Sequence, residues 1–401
     1  MGKSATLRIG FVPLVDAAPL VVANELGYFR EEGLDASLHR QIGWANVRDK
    51  LTYGHLEAGH ALLGMPLTSQ LGRDAFVEPL TAVMGLGTGG NAITVSRALH
   101  EGGVRSATDL AAYRTGSRHS PLLVGHVFNS SMHHYLLRDW LSSGGIDPDK
   151  DVKLCVIPPT QMPDHMRGGY VDIFCVGEPW NTLGTLLGYG TAIVATTDIL
   201  PNHPEKVLAV TQRFAEQNVT MVTALVRAVL RACKWCDEPG HRRELAAMLA
   251  RPEYIHQSAG VIEQSLAIDR QFGTSRLQRS SRLDGWQMKS FAPENTFPNK
   301  MHTVWMMQQM VRWGHLHVDA DLESIAERCS TPGAYRQAAA SLGIACPAAD
   351  FVPMKLRHGQ VFTPEGLRAE MAMRAPNSKP TKASRVPPRL IGNMESSFPH
   401  H

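Results

Sequence analysis

The chain alternates between two patterns. Short apolar runs break at glycine, proline or asparagine, and longer stretches repeat an apolar residue every three or four positions. The first pattern predicts strands and the second amphipathic helices. Residues 7–11 (LRIGF) read as a strand, and Pro19 suits the first turn of a helix running to about Phe29. Residues 44–59 (WANVRDKLTYGHLEAG) put Val47, Leu51 and Leu56 on one helical face. Residues 60–66 (HALLGMP) predict a short buried strand. Residues 80–87 (LTAVMGLG) and 91–96 (NAITVS) predict strands around a glycine-rich break.

A second cycle follows. Ser106 is placed to cap a short helix, and 121–128 (PLLVGHVF) reads as a strand. Residues 129–145 form a helix pattern with Asn129, Ser130 and Ser131 at its start and glycines at its end. Strands are predicted at 152–159, 171–177 and 190–197, with a short helix at 160–170. From about 212 the pattern is mostly helical, with amphipathic segments at 217–236, 242–250 and 303–314. The alternation indicates an α/β fold with mainly parallel sheets, arranged as a two-lobe clamshell with a helical return. Residues 1–96 would form the first part of lobe I, 97–198 lobe II, 199–350 the return to lobe I, and 351–401 an extension. Within that extension, 374–389 (RAPNSKPTKASRVPPR) holds five basic residues, four prolines and no acid, the composition of a disordered arm.

Composition narrows the function. The 401 residues are 43% hydrophobic and 19% charged with a formal net charge of +3, which excludes a strongly basic nucleic-acid-binding surface as the main feature. No apolar run is long enough to span a membrane. The N-terminal run IGFVPLVDAAPLVVA is cut by Asp16, Pro13 and Pro19, so it reads as strand, turn and helix rather than as a signal peptide, and the expected location is cytosolic. Six cysteines make no disulfide scaffold. Cys233 and Cys236, with His241 nearby, form one CxxC, but that spacing is also one turn of a helix.

Candidate chemistry lies where strands end. A helix opening on NSSMHH offers free N–H groups, a positive dipole end and a histidine, which suit a small anion; a capped helix with surface histidines is the ordinary reading of this stretch alone. Gly177 ends the run VDIFCVG, and a glycine there lets a ligand approach the backbone. Glu178 and Pro179 suit the start of the next helix, and Trp180 can pack over the turn or reach a cleft. Trp44 follows Gly43 at a helix start, where core packing is the competing role. Lys206 precedes an apolar strand, where a solvated lysine is the ordinary reading. GLGTGGNA leads into a strand, so it is a poor phosphate loop, and no nucleophile elbow or phosphate-binding GxxxxGK[ST] is present.

Together, VKLCVIPPTQM, GGYVDIFCVGEPWN, HHYLLRDWLSSGGIDPDKDV and NHPEKVLAV resemble the nitrate/bicarbonate (NrtA/CmpA-like) branch of the substrate-binding proteins of ABC transporters. LRIGFVPLVDAAPLVVANELGYF and GWANVRDKL fit the same branch, and the resemblance runs from about residue 6 to about 350. Within it the chain is most similar to the NasS-type cytosolic nitrate/nitrite sensors. The resemblance implies a type II periplasmic-binding-protein clamshell with the ligand cleft between the lobes, no enzymatic activity, no cofactor and no metal. It implies an anion held by Trp44, His133, the backbone of Gly177 and Lys206, with Asn91 where the family has Gln. It further implies that the ligand-free protein sequesters a NasT-like RNA-binding antiterminator and releases it on binding nitrate or nitrite, without itself touching nucleic acid or membrane. A nitrate receptor of an ABC transporter is the alternative. A third reading, a pyrimidine synthase of thiamin biosynthesis on the same fold, lacks that group's cysteine cluster. Glu178 is expected to be structural, and Lys206→Glu is expected to abolish binding while sparing the fold.

Overall fold

The computed structural model describes residues 6–72, 78–115, 121–266, 293–317, 321–356 and 361–363. The basic arm at 374–389 lies outside the described residues. Among the described residues ten strands build two five-stranded sheets, beside a two-stranded pair at Met354–Lys355 and Val361–Phe362. They are β1 (Leu7–Phe11), β2 (Ala36–Arg40), β3 (Ala58–Leu62), β4 (Leu80–Gly85), β5 (Asn91–Ser96), β6 (Leu122–His126), β7 (Val152–Val156), β8 (Ile173–Gly177), β9 (Gly190–Ala195) and β10 (Lys206–Thr211). The first sheet runs β2-β1-β3-β10-β4 and the second β7-β6-β8-β5-β9. This is the two-lobe α/β clamshell expected from the sequence.

Two details of the expectation change. The sheets are mixed rather than mainly parallel: β1 pairs in parallel with β2 and β3, and β6 with β7 and β8, but β10 and β5 each run antiparallel to both neighbours. These two strands are the ones that cross between lobes. Each enters its new sheet from the cleft side, so it must run against strands that end there. The lobe boundary shifts with them. Residues 91–96, assigned to lobe I from the sequence, pair with β8 and β9 and belong to the second sheet, so the crossing falls at Gly87–Gly90.

Shorter elements have local causes. The helix beginning at Trp44 stops at Thr52 rather than continuing to 59, because Gly54 turns the chain with φ +70 and Ala58 must enter the sheet beside Ile9. The helix Ala18–Glu25 has Pro19 in its first turn and stops before Gly27, whose φ is +74. The strand at 60–66 ends at Leu62, and Gly64 opens a new helix, Gly64–Gln70. A Cβ on Gly64 would lie 1.9 Å from the Ser130 carbonyl oxygen, so only glycine permits this approach of the lobes. The return helix Val219–Asp237 buries Val222, Leu225, Val226, Val229 and Cys233 against the helices Ala18–Glu25 and Pro332–Ser341. Arg227 Nε lies 2.6 Å from Glu32, tying the return to lobe I. Cys233 and Cys236 are free thiols on one turn of that helix, and burial pushes both well up. Among the described residues no helix is long and apolar enough to cross a membrane.

Candidate functional site

Both sheets turn their C-terminal strand edges toward one cleft, where α/β folds place ligands. From lobe I come the loop after β1, the helix after β2 and the first residue of β10, which pairs with Leu62 at the end of β3. From lobe II come Asn91 and Gly177, which face each other across the β5–β8 register, and the first turn of the helix Met132–Ser143 after β6. Ser131 caps that helix: its hydroxyl accepts the His134 N–H and donates to the Phe128 carbonyl.

The lobes touch here. The Val15 N–H donates to the Glu178 carbonyl at 2.8 Å, and Trp180 Nε1 donates to the Pro13 carbonyl at 3.1 Å. Trp180 therefore pins the lobe II corner to lobe I. The Glu178 carboxylate accepts from Thr182 N–H and hydroxyl at 3.2 and 2.5 Å, so it caps the next helix.

The structure brings the five sequence-derived residues into one buried cluster. Lys206 Nζ stands 5.7 Å over the Trp44 ring. A Cβ on Gly177 would meet Asn91 Oδ1 at 3.2 Å and Asp16 Oδ2 at 3.6 Å. His133 Nδ1 lies 3.9 Å from Glu205. Trp44, Asn91, His133 and Lys206 are each at most 2% exposed. Several of their polar atoms have no hydrogen-bond partner among the described residues: Trp44 Nε1, both amide atoms of Asn91 and both ring nitrogens of His133, joined by the Ser130 hydroxyl. Buried polar groups are almost always satisfied, so a concentration of such atoms marks a place prepared for a polar ligand.

Lys206 differs from the expectation. It is not a free counter-charge. Its ammonium lies 2.7 Å from Asp16 and 2.6 Å from Glu205. Burial alone would lower its titration, but these carboxylates outweigh burial and hold it above the ordinary lysine value. Asp16 feels the same contest: burial would raise it, yet Lys206 and His60 bring it down to about 2. Glu205 is likewise held well below the carboxylate range against its burial. His60 Nε2 stands 3.0 Å from Asp16, and His203 Nδ1 stands 3.2 Å from Glu205 Oε1. The Thr196 hydroxyl joins His203 Nε2 at 2.7 Å and donates to the Asn91 carbonyl at 3.1 Å. Burial holds His133 neutral, down to about 3, although Glu205 partly opposes this. Lys206→Glu would set a third carboxylate into this buried group, so the expectation that it spares the fold does not hold.

Sequence reading passed over Asp16, His60, His203, Glu205 and Ser130 as site residues. Asp16 carried a signal: an acid inside an otherwise buried apolar segment needs a partner. His60, inside the apolar strand AGHAL, carried the same one.

Comparison with known proteins places this geometry. Residues 2–250 match the NMT1-like family. The nitrate/nitrite binding protein NrtA of Nostoc is 31% identical over 86% of this chain and 78% of its own length. NrtC of Synechocystis, a nitrate import ATP-binding protein, is 34% identical over 90% of this chain, which spans only 54% of it. The crystal structure of the periplasmic nitrate-binding protein NrtA from Synechocystis superposes with a TM-score of 0.84 at 27% identity, covering 92% of this chain and 98% of that one. These relatives are substrate-binding proteins and transporter components. The chain belongs to the NMT1-like family, in the group of substrate-binding proteins that includes NrtA.

Proposed function

We propose that the protein binds nitrate or nitrite in the cleft between its lobes. The observation that carries this is the set of buried donors without a hydrogen-bond partner among the described residues, Trp44 Nε1, Asn91 Nδ2 and His133, gathered beside the Lys206 ammonium. Nitrate is planar, singly charged and weakly hydrated. Burying it is favourable only where donors replace water and a cation offsets its charge. The flat Trp44 ring supplies a wall for a flat ion. The relatives named for nitrate support the same ligand.

We further propose that the chain works in the cytoplasm as a sensor. Ligand-free protein sequesters a NasT-like antiterminator, and the anion, by stabilising lobe closure, releases it. The segments quoted above that resemble the NasS type support this reading. A receptor of a nitrate importer is the second reading, favoured by the nitrate import protein among the relatives. Co-purification of the ligand-free protein with a NasT-like protein, reversed by nitrate, separates them. Failure to bind that partner, together with saturable nitrate binding, or recovery of the native protein from the periplasm, turns the assignment to the receptor.

A further inference from the structure

The charge arithmetic of the cleft is unusual for an anion site. Two buried carboxylates, Asp16 and Glu205, face one ammonium, Lys206. His60 stands beside Asp16, but burial pushes it below the ordinary histidine value and it adds no charge; His203 stands beside Glu205 from the loop before β10, and an imidazolium there would only bring the group to neutrality. In either case a bound monoanion leaves excess negative charge in a water-poor site, which is costly unless it is compensated. One side chain is placed to correct this. His133 is fully buried, and neither ring nitrogen has a hydrogen-bond partner among the described residues, Glu205 lying 3.9 Å from Nδ1. The charged and titratable groups around it are Lys206 at the start of β10, Glu205 and His203 from the loop before it, and Asp16 from the turn after β1.

We propose that this site takes up its anion together with a proton, and that His133 carries the proton. Resting on the nitrate reading above, this makes the ligand the anion and its acid proton bound as a pair. Without the anion, burial and Lys206 oppose charge on the ring more strongly than Glu205 favours it, so His133 is neutral. A monoanion about 3 Å from the ring, at an effective dielectric of about 20, attracts its proton enough to carry the titration toward the neutral range. The proton comes from solvent, and the charged ring then donates to the anion. Asp16 and Glu205 thereby act as specificity-determining residues: they make the site disfavour an anion that arrives alone.

The test is calorimetric titration of the full chain with sodium nitrate at fixed ionic strength. Titrations run in paired buffers of different protonation enthalpy count the protons taken up. Between about pH 5 and 7, affinity should rise by up to tenfold for each unit of acidification, with net uptake of a proton per nitrate. Glu205→Gln, which removes one negative charge, should bind nitrate with affinity nearly independent of pH. His133→Gln, which keeps a donor but cannot take the proton, should bind more weakly and without uptake. Binding by the wild-type chain with no buffer dependence overturns the proposal while leaving the nitrate reading intact. No binding at any pH overturns the nitrate reading itself. Proton uptake that persists in His133→Gln overturns the assignment to His133.

Discussion

Replacing Lys206 by methionine tests whether its ammonium holds the cleft together. The side chain is buried, and its Nζ lies 2.7 Å from Asp16 and 2.6 Å from Glu205. Methionine keeps the bulk and removes the charge, so both carboxylates lose their main partner. Breaking a buried ion pair by removing one member costs about 3–5 kcal/mol. Here His60 remains 3.0 Å from Asp16 and His203 remains 3.2 Å from Glu205, so the loss should stay within that range rather than double. The sign of its pH dependence follows from proton binding. In the wild type Asp16 is held down to about 2, so the stability it contributes is present above the ordinary carboxylate range and lost as pH falls toward 2. Without Lys206, burial raises both carboxylates. The native state then binds more protons than the unfolded chain, and the penalty grows as pH rises. Urea unfolding followed by tryptophan fluorescence should therefore show a larger deficit at pH 7 than at pH 5. Adding Asp16→Asn and Glu205→Gln should recover most of it. A loss below about 1 kcal/mol, or one equal at both pH values, would refute the reasoning, because a surface-like pair behaves that way.

Other outcomes follow from the same geometry. Asn91→Leu removes a side-chain amide with no hydrogen-bond partner among the described residues, so thermal stability should hold or rise, whereas nitrate affinity measured by calorimetry should fall about 10- to 100-fold, the effect of losing one charge-assisted hydrogen bond. Gly177→Ala places a methyl 3.2 Å from Asn91 Oδ1 and 3.3 Å from Leu14; it should weaken nitrate binding by displacing Asn91 and cost about 1–3 kcal/mol of stability in denaturant titration. Ser131→Ala removes the cap of the helix that carries His133 and should cost about 1 kcal/mol in the same assay. His126 and His302 are pushed down to about 4 and His133 to about 3 by burial. Their unfolded forms take protons first as pH drops below the ordinary histidine value. The ligand-free protein should therefore lose about 1.4 kcal/mol per histidine for each pH unit between about 6.5 and 4, read from unfolding midpoints across that range.

Much of the fold was legible because it is written in local patterns. The strands at 7–11 and 91–96 and the helices near 219–237 and 242–250 follow apolar periodicity closely. What was not legible is pairing. Nothing local to NAITVS says that it pairs with β8 across the crossing, and nothing local to KVLAVT says that it runs antiparallel between β3 and β4. Both facts depend on the chain's route between lobes. The site divided in the same way. Trp44, Asn91, His133, Gly177 and Lys206 were found through motifs and lie together in the structure. Asp16 and Glu205 were not found, because a carboxylate beside an anion site looks unfavourable until the lysine between them is visible. Glu205 sat inside the quoted NHPEKVLAV, and Asp16, which shares the Lys206 ammonium with it, lies 189 positions earlier in the chain.

The central claim is that the cleft binds nitrate or nitrite, and titration calorimetry of the ligand-stripped protein tests it most directly. Nitrate and nitrite should each give saturable binding to one site without added calcium, and Lys206→Met should abolish it. Absence of heat with both anions, or binding only of bicarbonate with a metal or of a sulfonate such as taurine, would contradict the account.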